Sequence, residues 1–360
     1  MMTVLDCNNF WSPSGGGVRR YHLEKLAYYA KKSEILYVFM MQDATTYTEI
    51  INETTVIEHV RAFKVPGNWE YRFLTRSHPI RVLINKYSPN IIEVGSPYVM
   101  PFLVNRAVRS SQKKGISIVG FWHADFPITY VKRFFGKYNL LLARGMEKIT
   151  WVFARIAYSK MALIFSSSTT VIDRMKHNGL KNIAHLPLGV DLELFHPAKR
   201  DLSLRAQFQG GDSSRDILFF PHRFSDEKGV KTILNAYALA LPNRTIAPTL
   251  IFAGTGPDKS LVELACQKYE HVHYVGFINS TEEMARWHAS SDIAFALSSG
   301  ETVGLSIVES LASGVPLIAV RDGAAQEHAE RSQAGAIITP YSVEELADAL
   351  IQLIIMKDRS

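Results

Sequence analysis

Short apolar runs alternate along the whole chain with longer segments in which apolar residues recur at helical spacing. In the first half the apolar runs are Thr3–Asp6, Glu34–Met40, Val56–Val65, Ile91–Gly95, Ile116–Phe121 and Leu163–Ser167. In the second half they are Asp216–Phe220, Leu250–Ala253, His271–Val275, Asp292–Leu297 and Val315–Val320. Strands that alternate with helices indicate βαβ units and parallel sheets. A chain of 360 residues is long enough for two such domains.

The segment 299–319 follows one of these strands and carries the strongest chemical signal. It predicts a glycine loop, a helix that ends near Gly314, and a further strand. The backbone N–H groups of Val303, Gly304 and Leu305 fall at the start of that helix. Such N–H groups lack partners within the helix and lie at the positive end of its dipole, so they favour an anion such as phosphate.

Two glutamates accompany this predicted anion site. Glu301 precedes the helix, and Glu309 follows eight residues later, which places the two about 80° apart on a helical wheel. A carboxylate beside a phosphate site is repelled unless it binds something else, and sugar hydroxyls fit that role. The spacing alone leaves open a second interpretation, in which Glu301 is a surface residue and Glu309 a solvated helix position.

This segment resembles the Glu-x7-Glu signature of the retaining glycosyltransferases of family 4, also called group 1. The resemblance implies that Glu301 contacts the transferred sugar, that the amides of Thr302, Val303, Gly304 and Leu305 hold the diphosphate and sugar, and that Glu309 binds the ribose. Val303 stands where the family usually has Phe, which affects the expected pocket shape but not the backbone contacts. The implied fold class is α/β: a GT-B fold with two Rossmann-like domains facing a central cleft.

A second pair of candidates lies between the run Asp216–Phe220 and a helix beginning near Gly229. Arg223 and Lys228 would sit at the carboxyl end of a strand, where two cations suit a diphosphate. Ordinary surface cations are the alternative. The segment resembles the family's Gly-Arg-x5-Lys-Gly loop, shortened by one residue and with His222 in place of Gly. The resemblance implies that both cations stabilise the leaving nucleoside diphosphate.

Backbone contacts to the nucleotide base are also implied by the resemblance. They fall on the loop of Gly276, Phe277 and Ile278, which follows the run His271–Val275. Because such contacts use the backbone, the side chains do not encode the base.

Two candidates lie in the first half. The loop Ser12–Gly17 precedes a helical pattern and is either a phosphate cradle or a flexible turn. The resemblance implies that Gly16 and Gly17 face the donor phosphates and the acceptor. His123 follows the run Ile116–Phe121, where it is either a ligand-binding or a structural histidine; the resemblance places it near the transferring sugar.

The domain boundary is expected near residue 188. The segment His185–Pro197 resembles the family's crossover between domains, with Leu188 in place of the usual Asn. We therefore expect an acceptor-side domain at 1–187 and a nucleotide-sugar-binding domain at 188–360. Family members usually continue for one or two more helices, so we expect this chain to lack the last one, with the domains held together otherwise or their closure impaired.

Composition narrows the classes of partner. Hydrophobic residues make up 47% and charged residues 21% of the chain, and no apolar run is long enough to span a bilayer. Cys7 and Cys266 have no neighbours at metal-ligand spacing, which predicts reduced thiols in a cytosolic protein and no metal site. The net charge of +6 favours anionic partners, but no base-reading motif accompanies it, so nucleic acid is not expected.

The segment Tyr130–Tyr158 is both basic and aromatic. It is typical either of an interfacial amphipathic helix or of a surface helix whose cations extend over an apolar face. The first interpretation predicts that the protein contacts the inner face of a membrane peripherally, and it suggests a lipid-linked acceptor.

Together these patterns predict a cytoplasmic, metal-independent retaining hexosyltransferase. Its co-substrate would be a UDP- or GDP-hexose, with no other cofactor, and its acceptor a glycan or glycolipid hydroxyl. Two alternatives remain open, a GT-B nucleotide-sugar epimerase and a catalytically silent nucleotide-binding module.

Overall fold

A computed structural model describes residues 1–9, 11, 16–65, 68–132, 135, 139–243 and 246–357. The chain forms two compact units, Met1–Leu186 and Pro187–Ser360. Residues 12–15 of the predicted glycine loop lie outside the described residues, as do 133–134 and 136–138 of the basic aromatic segment.

Unit 1 is built on a sheet with the strand order β10-β9-β8-β7-β1-β2-β4-β3. The strands of unit 1 are β1 (Met2–Cys7), β2 (Ile35–Asp43), β3 (Tyr47–Asn52), β4 (Thr55–Arg61), β5 (Phe63–Val65), β6 (Asn68–Phe73), β7 (Ile91–Val94), β8 (Ser117–Phe121), β9 (Leu163–Ser166) and β10 (Ile183–His185). Strands β5 and β6 form a separate two-stranded sheet. Its helices are α1 (Gly17–Tyr29), α2 (His78–Tyr87), α3 (Met100–Ser110), α4 (Leu140–Tyr158) and α5 (Thr169–His177), with a π-helical turn at Pro127–Lys132. All pairs in this sheet are parallel except β3 with β4.

Unit 2 contains a six-stranded, wholly parallel sheet with the order β13-β12-β11-β14-β15-β16. Its strands are β11 (Ile217–Pro221), β12 (Thr249–Ala253), β13 (Val272–Tyr274), β14 (Ile293–Ala296), β15 (Leu317–Val320) and β16 (Gly335–Ile338). Its helices are α6 (Leu202–Phe208), α7 (Val230–Ala240), α8 (Lys259–Lys268), α9 (Thr281–Ala289), α10 (Leu305–Ala312), α11 (Gly323–Ser332) and α12 (Val343–Lys357), with 3-10 turns at Pro197–Lys199, Asp226–Lys228 and Leu241–Asn243. This is the strand order of a doubly wound Rossmann fold.

The strands of unit 2 are apolar at nearly every position because helices cover both faces of the sheet. Along β11, Leu218 and Phe220 belong to the larger core, while Ile217 and Phe219 pack with Trp287 on the opposite face. Side chains that alternate between two buried faces explain why these strands read as uninterrupted apolar runs. The α/β class with parallel sheets, predicted from the sequence, is confirmed.

The predicted strand Val56–Val65 needs a correction. It is two strands, β4 in the main sheet and β5 in a separate hairpin with β6. The chain leaves the main sheet at Ala62, whose N–H still donates to the Asp43 carbonyl at 2.9 Å. An apolar run cannot by itself report such a change of partner strand.

Candidate active site

In unit 2 the strand order reverses between β11 and β14, because β12 and β13 continue on one side and β15 and β16 on the other. In open α/β sheets the crevice outside the carboxyl ends of such strands is where ligands bind. The loops that leave β11 and β14 at this point contain the predicted cations and the first predicted glutamate. The topology therefore gathers the predicted site residues of unit 2 at one edge of one sheet.

Lys228 and Glu301, which are far apart in sequence, meet at this edge. The Lys228 Nζ donates to the Glu301 Oε2 at 2.7 Å, and the two side chains are 21% and 25% exposed. They line a pocket together with His222, Ser298 and Ser306. The sequence predicted both residues for one site, and the structure places them in direct contact.

The two groups hold each other in the charged state. Burial acts to lower the pKa of Lys228, but the charge and hydrogen bond of Glu301 outweigh it and raise the pKa above 10.5. Burial acts to raise the pKa of Glu301, but the charge and hydrogen bond of Lys228 outweigh it and lower the pKa of that carboxyl below 4.5. Glu301 is therefore an ionised hydrogen-bond acceptor, and Lys228 is a cation that remains 21% exposed.

The helix α10 begins beside this ion pair. Gly304 caps it with φ of +65°, and no side chain caps its N-terminus. A Cβ atom at Gly304 would lie 2.3 Å from the Ile307 Cδ1, so the left-handed turn and the packing both require glycine here. The loop is also fixed from its other side, because the Ala324 N–H donates to the Glu301 carbonyl at 2.8 Å.

His222 lies in the wall of the same pocket. Its Nε2–H donates to the Phe295 carbonyl at 2.7 Å, and its Nδ1 faces the Ser306 hydroxyl at 3.5 Å. Burial, followed by the charge of Lys228, lowers the pKa of His222 to about 4. The imidazole is therefore neutral at physiological pH and joins the ends of β11 and β14. Arg223, the next residue, is exposed.

Glu309 projects from α10 and is buried, with 6% of the residue exposed. Its Oε2 lies 3.5 Å from the Nε2 of His288, a fully buried residue of α9. The interpretation of Glu309 as a solvated helix position is therefore wrong. Sequence reasoning missed His288, which has no distinctive spacing from the two glutamates.

The loop predicted to contact the base follows β13 and is tied to its neighbours through the backbone. The Gly254 N–H donates to the Gly276 carbonyl at 2.8 Å, and the Phe224 N–H donates to the Thr255 carbonyl at 2.9 Å. The loops after β13, β12 and β11 thus lie side by side. In the loop after β13, Phe277 is 49% exposed while Ile278 is buried.

In unit 1 the predicted residues lie in the segments that follow β1 and β8. Gly16 precedes α1, and Gly17 is its first residue. His123 follows β8, and its ring stacks on Phe121 at 4.3 Å and meets Tyr21 edge-on at 4.8 Å. Burial, followed by the charge of His22, lowers the pKa of His123 to about 3, so the ring is neutral.

A buried ionic network in unit 1 was missed by the sequence analysis. Lys25 of α1 donates to the Asp6 Oδ2 at 2.6 Å and to the Glu93 Oε2 at 2.7 Å. The Tyr37 hydroxyl also donates to Asp6, and the Tyr21 hydroxyl donates to Glu93. The only sequence signal was that two carboxylates interrupt otherwise apolar strands.

The network also holds Asp6 in its charged state. Although burial disfavours ionisation, the charge of Lys25 and then of His22 keeps the pKa of Asp6 well below its usual range. Asp6 and Glu93 are neighbours in the register of β1 and β7, so one lysine bridges carboxylates on two adjacent strands. The network anchors α1, which begins at the glycine loop, to the strand ends beneath it.

Comparison with known proteins covers both units. The family model described as Glycosyltransferase Family 4 matches residues 15–194, half of the chain, and that described as Glycosyl transferases group 1 matches residues 205–360. The GDP-mannose-dependent alpha-(1-6)-phosphatidylinositol dimannoside mannosyltransferase of Mycobacterium tuberculosis is 28% identical over 332 residues, which are 91% of this chain and 81% of that protein. The GDP-mannose-dependent alpha-mannosyltransferase of Corynebacterium glutamicum is 27% identical over 241 residues, 67% of this chain and 53% of that protein.

Solved structures share the fold across nearly the whole chain. Sucrose-phosphate synthase from Thermosynechococcus elongatus has a TM-score of 0.75 at 15% identity, covering 98% of this chain and 89% of that one. Anabaena Alr3699/HepE in complex with UDP has a TM-score of 0.70 at 17% identity, covering 99% and 91%. The predicted GT-B fold class is thereby confirmed.

Proposed function

We propose, because the chain belongs to glycosyltransferase family 4, that it transfers a hexose from a nucleoside diphosphate sugar to a hydroxyl group of a glycan or lipid-linked acceptor. We further propose that the anomeric configuration is retained and that no metal ion is required. The observation that carries the proposal is the Lys228–Glu301 ion pair beside the N-terminus of α10, at the switch point of the sheet. This arrangement joins a cation and a carboxylate suited to sugar hydroxyls in one pocket, beside the uncapped N-terminus of α10.

The diphosphate gains negative charge as the glycosidic bond breaks, and the pocket is arranged to stabilise it. Lys228, the exposed Arg223 and the amides from Val303 to Leu305 would face that charge. Because these groups are fixed before the reaction, little reorganisation is needed when the charge develops. Lys228 then exchanges part of its bond to Glu301 for the phosphate oxygens.

Glu301 is assigned to the sugar. Its pKa is held low by Lys228, so it accepts hydrogen bonds from sugar hydroxyls and does not serve as a proton-accepting base at neutral pH. We assign the ribose to Glu309 and the base to the backbone of Gly276, Phe277 and Ile278. A donor phosphate oxygen would take the acceptor's proton on the same face from which the diphosphate departs, which retains the configuration.

On the acceptor side, we assign positions near the transferring sugar to His123 and near the phosphates to Gly16 and Gly17. His123 is neutral, so beside the transferring sugar it would donate or accept a hydrogen bond without adding charge. The donor is a UDP- or GDP-hexose. GDP-mannose is the first to test, because two relatives are described as GDP-mannose-dependent.

The experiment measures thermal stabilisation by GDP, UDP, GDP-mannose and UDP-glucose, and then transfer to candidate acceptors. In Glu301→Gln we expect the shift given by the nucleoside diphosphate to remain. The added shift from the sugar should disappear, with transfer falling by about tenfold or more, the value of a hydrogen bond to a carboxylate. Glu283→Gln, at an exposed position of the same unit, is the matched control.

The product decides the reaction class. Retention predicts that the new linkage has the donor's anomeric configuration, which NMR of the product reports. Interconversion of the donor without an acceptor would identify an epimerase, and nucleotide binding without transfer would identify a silent binding module. Turnover unchanged by EDTA is expected, whereas a loss restored by Mg²⁺ or Mn²⁺ would contradict metal independence.

No helix in the described part of the chain is both long and apolar enough to cross a bilayer. We propose peripheral contact with the cytoplasmic face of a membrane through α4. This helix buries Trp151 and Tyr158 on one side, yet on the other Leu141, Ile149 and Ile156 are 75%, 61% and 57% exposed.

Cations flank this apolar stripe. Arg144, Lys148 and Arg155 are exposed on α4, and the neighbouring α3 adds exposed Arg106 and Arg109. An apolar stripe bordered by cations complements an anionic lipid surface, to which each cation contributes about 1 kcal/mol.

Sedimentation with vesicles tests the membrane contact. Wild type should bind vesicles that contain phosphatidylglycerol more strongly than vesicles of phosphatidylcholine alone. We expect the triple change of Leu141, Ile149 and Ile156 to Ser to weaken this binding by about tenfold or more, since the lost apolar burial is worth over 1.4 kcal/mol. Leu264→Ser, at a 59% exposed position on α8, is the control. Equal sedimentation of wild type and triple variant would contradict the proposal.

A further inference from the structure

His288 is a buried titratable residue that the reaction proposed above does not use. It lies on α9, which packs against α10, and its side chain is 0% exposed. Its ring meets Phe195 and Phe219 edge-on, with centroids 5.9 and 5.3 Å away. A polar ring in such surroundings is costly to bury unless both of its nitrogens are used.

The hydrogen bonds around Ser310 fix one proton of this ring. The Ser310 hydroxyl donates to the Ser306 carbonyl at 2.8 Å, and its oxygen lies 2.9 Å from the His288 Nδ1. A hydroxyl has one proton to donate, so the Ser310 oxygen must act as the acceptor toward the ring. The Nδ1 of His288 therefore carries a hydrogen.

The other ring nitrogen faces a carboxylate. The Nε2 of His288 lies 3.5 Å from the Oε2 of Glu309, whose side chain is 7% exposed. Within the described residues this Nε2 is buried and has no hydrogen-bond partner. With hydrogen on Nδ1 alone, Nε2 would present a lone pair to a carboxylate oxygen, an unfavourable arrangement at low dielectric. One proton between the two atoms turns this repulsion into attraction.

We propose that His288 is the positioning residue for Glu309. The ring presents an Nε2–H toward the Glu309 Oε2, and the attraction between the two groups holds the Glu309 carboxylate in one orientation toward the ribose hydroxyls of the donor. The inference rests on the proposed function, which gives Glu309 its role at the ribose. Two hydrogen bonds link the Ser306 carbonyl, in the donor pocket, through Ser310 to His288, and the 3.5 Å contact of His288 with Glu309 extends this chain from the phosphate end of α10 to its ribose end.

Discrimination between ribose and deoxyribose tests the inference, since it reports on Glu309 and not on general stability. Calorimetry gives the dissociation constants of the preferred nucleoside diphosphate and of its 2′-deoxy and 3′-deoxy forms. Wild type should prefer the ribose form by about tenfold or more, as expected for hydrogen bonds to a carboxylate. His288→Phe keeps a planar ring without a donor, and in it the preference should fall close to equality.

Two further variants show whether the donor toward Glu309 is what matters. His288→Gln supplies an amide N–H in place of Nε2–H and should restore most of the preference. His273→Phe changes a part-buried histidine of the same unit, whose ring contacts Phe208 at 5.2 Å, and should leave the preference unchanged.

The outcomes separate the inference from the function on which it rests. A wild type that binds no nucleoside diphosphate overturns both. A wild type that prefers ribose, with the same preference in His288→Phe, overturns the role of His288 alone.

Should His288→Phe not fold, ¹⁵N NMR of the histidine rings replaces it, with His288→Gln giving the assignment. We expect wild-type His288 to carry a proton at Nε2 that is lost in Glu309→Gln. An Nε2 without a proton in wild type would overturn the proposal.

Discussion

The two units carry an ion pair at the same topological position but expose it to solvent differently. Each sheet reverses its strand order once, between β1 and β7 in unit 1 and between β11 and β14 in unit 2. At the first reversal, Lys25 is 13% exposed and its partner Asp6 is 0% exposed. At the second, Lys228 and Glu301 are 21% and 25% exposed.

The difference lies in what else each pair bonds. In unit 1 two tyrosine hydroxyls and a second carboxylate complete the network, and Glu93 uses both of its oxygens. In unit 2 the pair lines a pocket. A pair enclosed by protein partners stabilises the fold, whereas a pair with solvent access can exchange one partner for a ligand. The predictions below test this division between structural and functional ion pairs.

The largest effect is expected on stability, from Lys25→Met. Removing the shared cation leaves the fully buried Asp6 and the 13% exposed Glu93 without their common partner, which should cost about 3–5 kcal/mol in the free energy of unfolding. Urea denaturation measures it. Lys259→Met, which removes an exposed lysine from a 3.0 Å pair with Glu263, should cost less than about 1 kcal/mol. Equal losses of unfolding free energy in the two variants would contradict a structural role for the unit 1 network.

The next effect is expected on activity, from Lys228→Ala. Removing a preorganised cation from the leaving diphosphate should lower turnover by about a hundredfold or more. The urea midpoint should change little, because Glu301 can be hydrated once its partner is gone. Lys231→Ala, at an exposed position on α7, should leave turnover unaffected. Near-normal turnover in Lys228→Ala would exclude this residue from the site.

The smallest effect concerns pH and the neutral His222. Its pKa is about 4 in the folded protein and 6.5 as the reference value, so the unfolded chain binds more protons between these limits. The stability that His222 contributes is therefore fully present above pH 6.5 and is lost as the pH falls toward 4.

Unfolding free energies of wild type and His222→Asn, measured from pH 7.5 to 4.5, check this. His123, with a pKa of about 3, gives a pH dependence of stability of the same sign in wild type and in the variant, so its contribution cancels in the difference. The difference between the two proteins should shrink as the pH falls. A difference that is constant across this range would contradict the assignment.

Much of the fold was predictable because its elements are regular. Apolar runs between helical segments located nearly every strand of both sheets. The short strands β10 and β16 and the hairpin of β5 and β6 were missed because few residues define them, and pairing with a neighbour decides whether they form. The edge strand β3 was also missed, because it is exposed along nearly its whole length and carries no continuous apolar run.

The candidate site was predictable where local spacing carries chemistry. Glu301 and Glu309 lie on one loop and helix, and Lys228 lies before another helix, so local spacing marked them as candidates, and the family resemblance then supplied their roles. Lys25, Asp6 and Glu93 could not be grouped in this way, since the contact of Lys25 with Glu93 spans 68 positions. His288 was likewise hidden, because its meaning depends on the packing of α9 against α10.

The backbone bonds between neighbouring loops of unit 2 bear on how donor preference can change. Gly276 and Gly254 are joined through main-chain atoms, as are Thr255 and Phe224, so the alignment of these loops does not depend on the side chains between them. A substitution at the exposed Phe277 should therefore leave the backbone of this loop, to which we assign the base, in its present alignment. Under the proposed function, the main chain would thus keep the base contacts in place while the side chains on these loops change, so sequence drift here need not alter the choice of nucleotide.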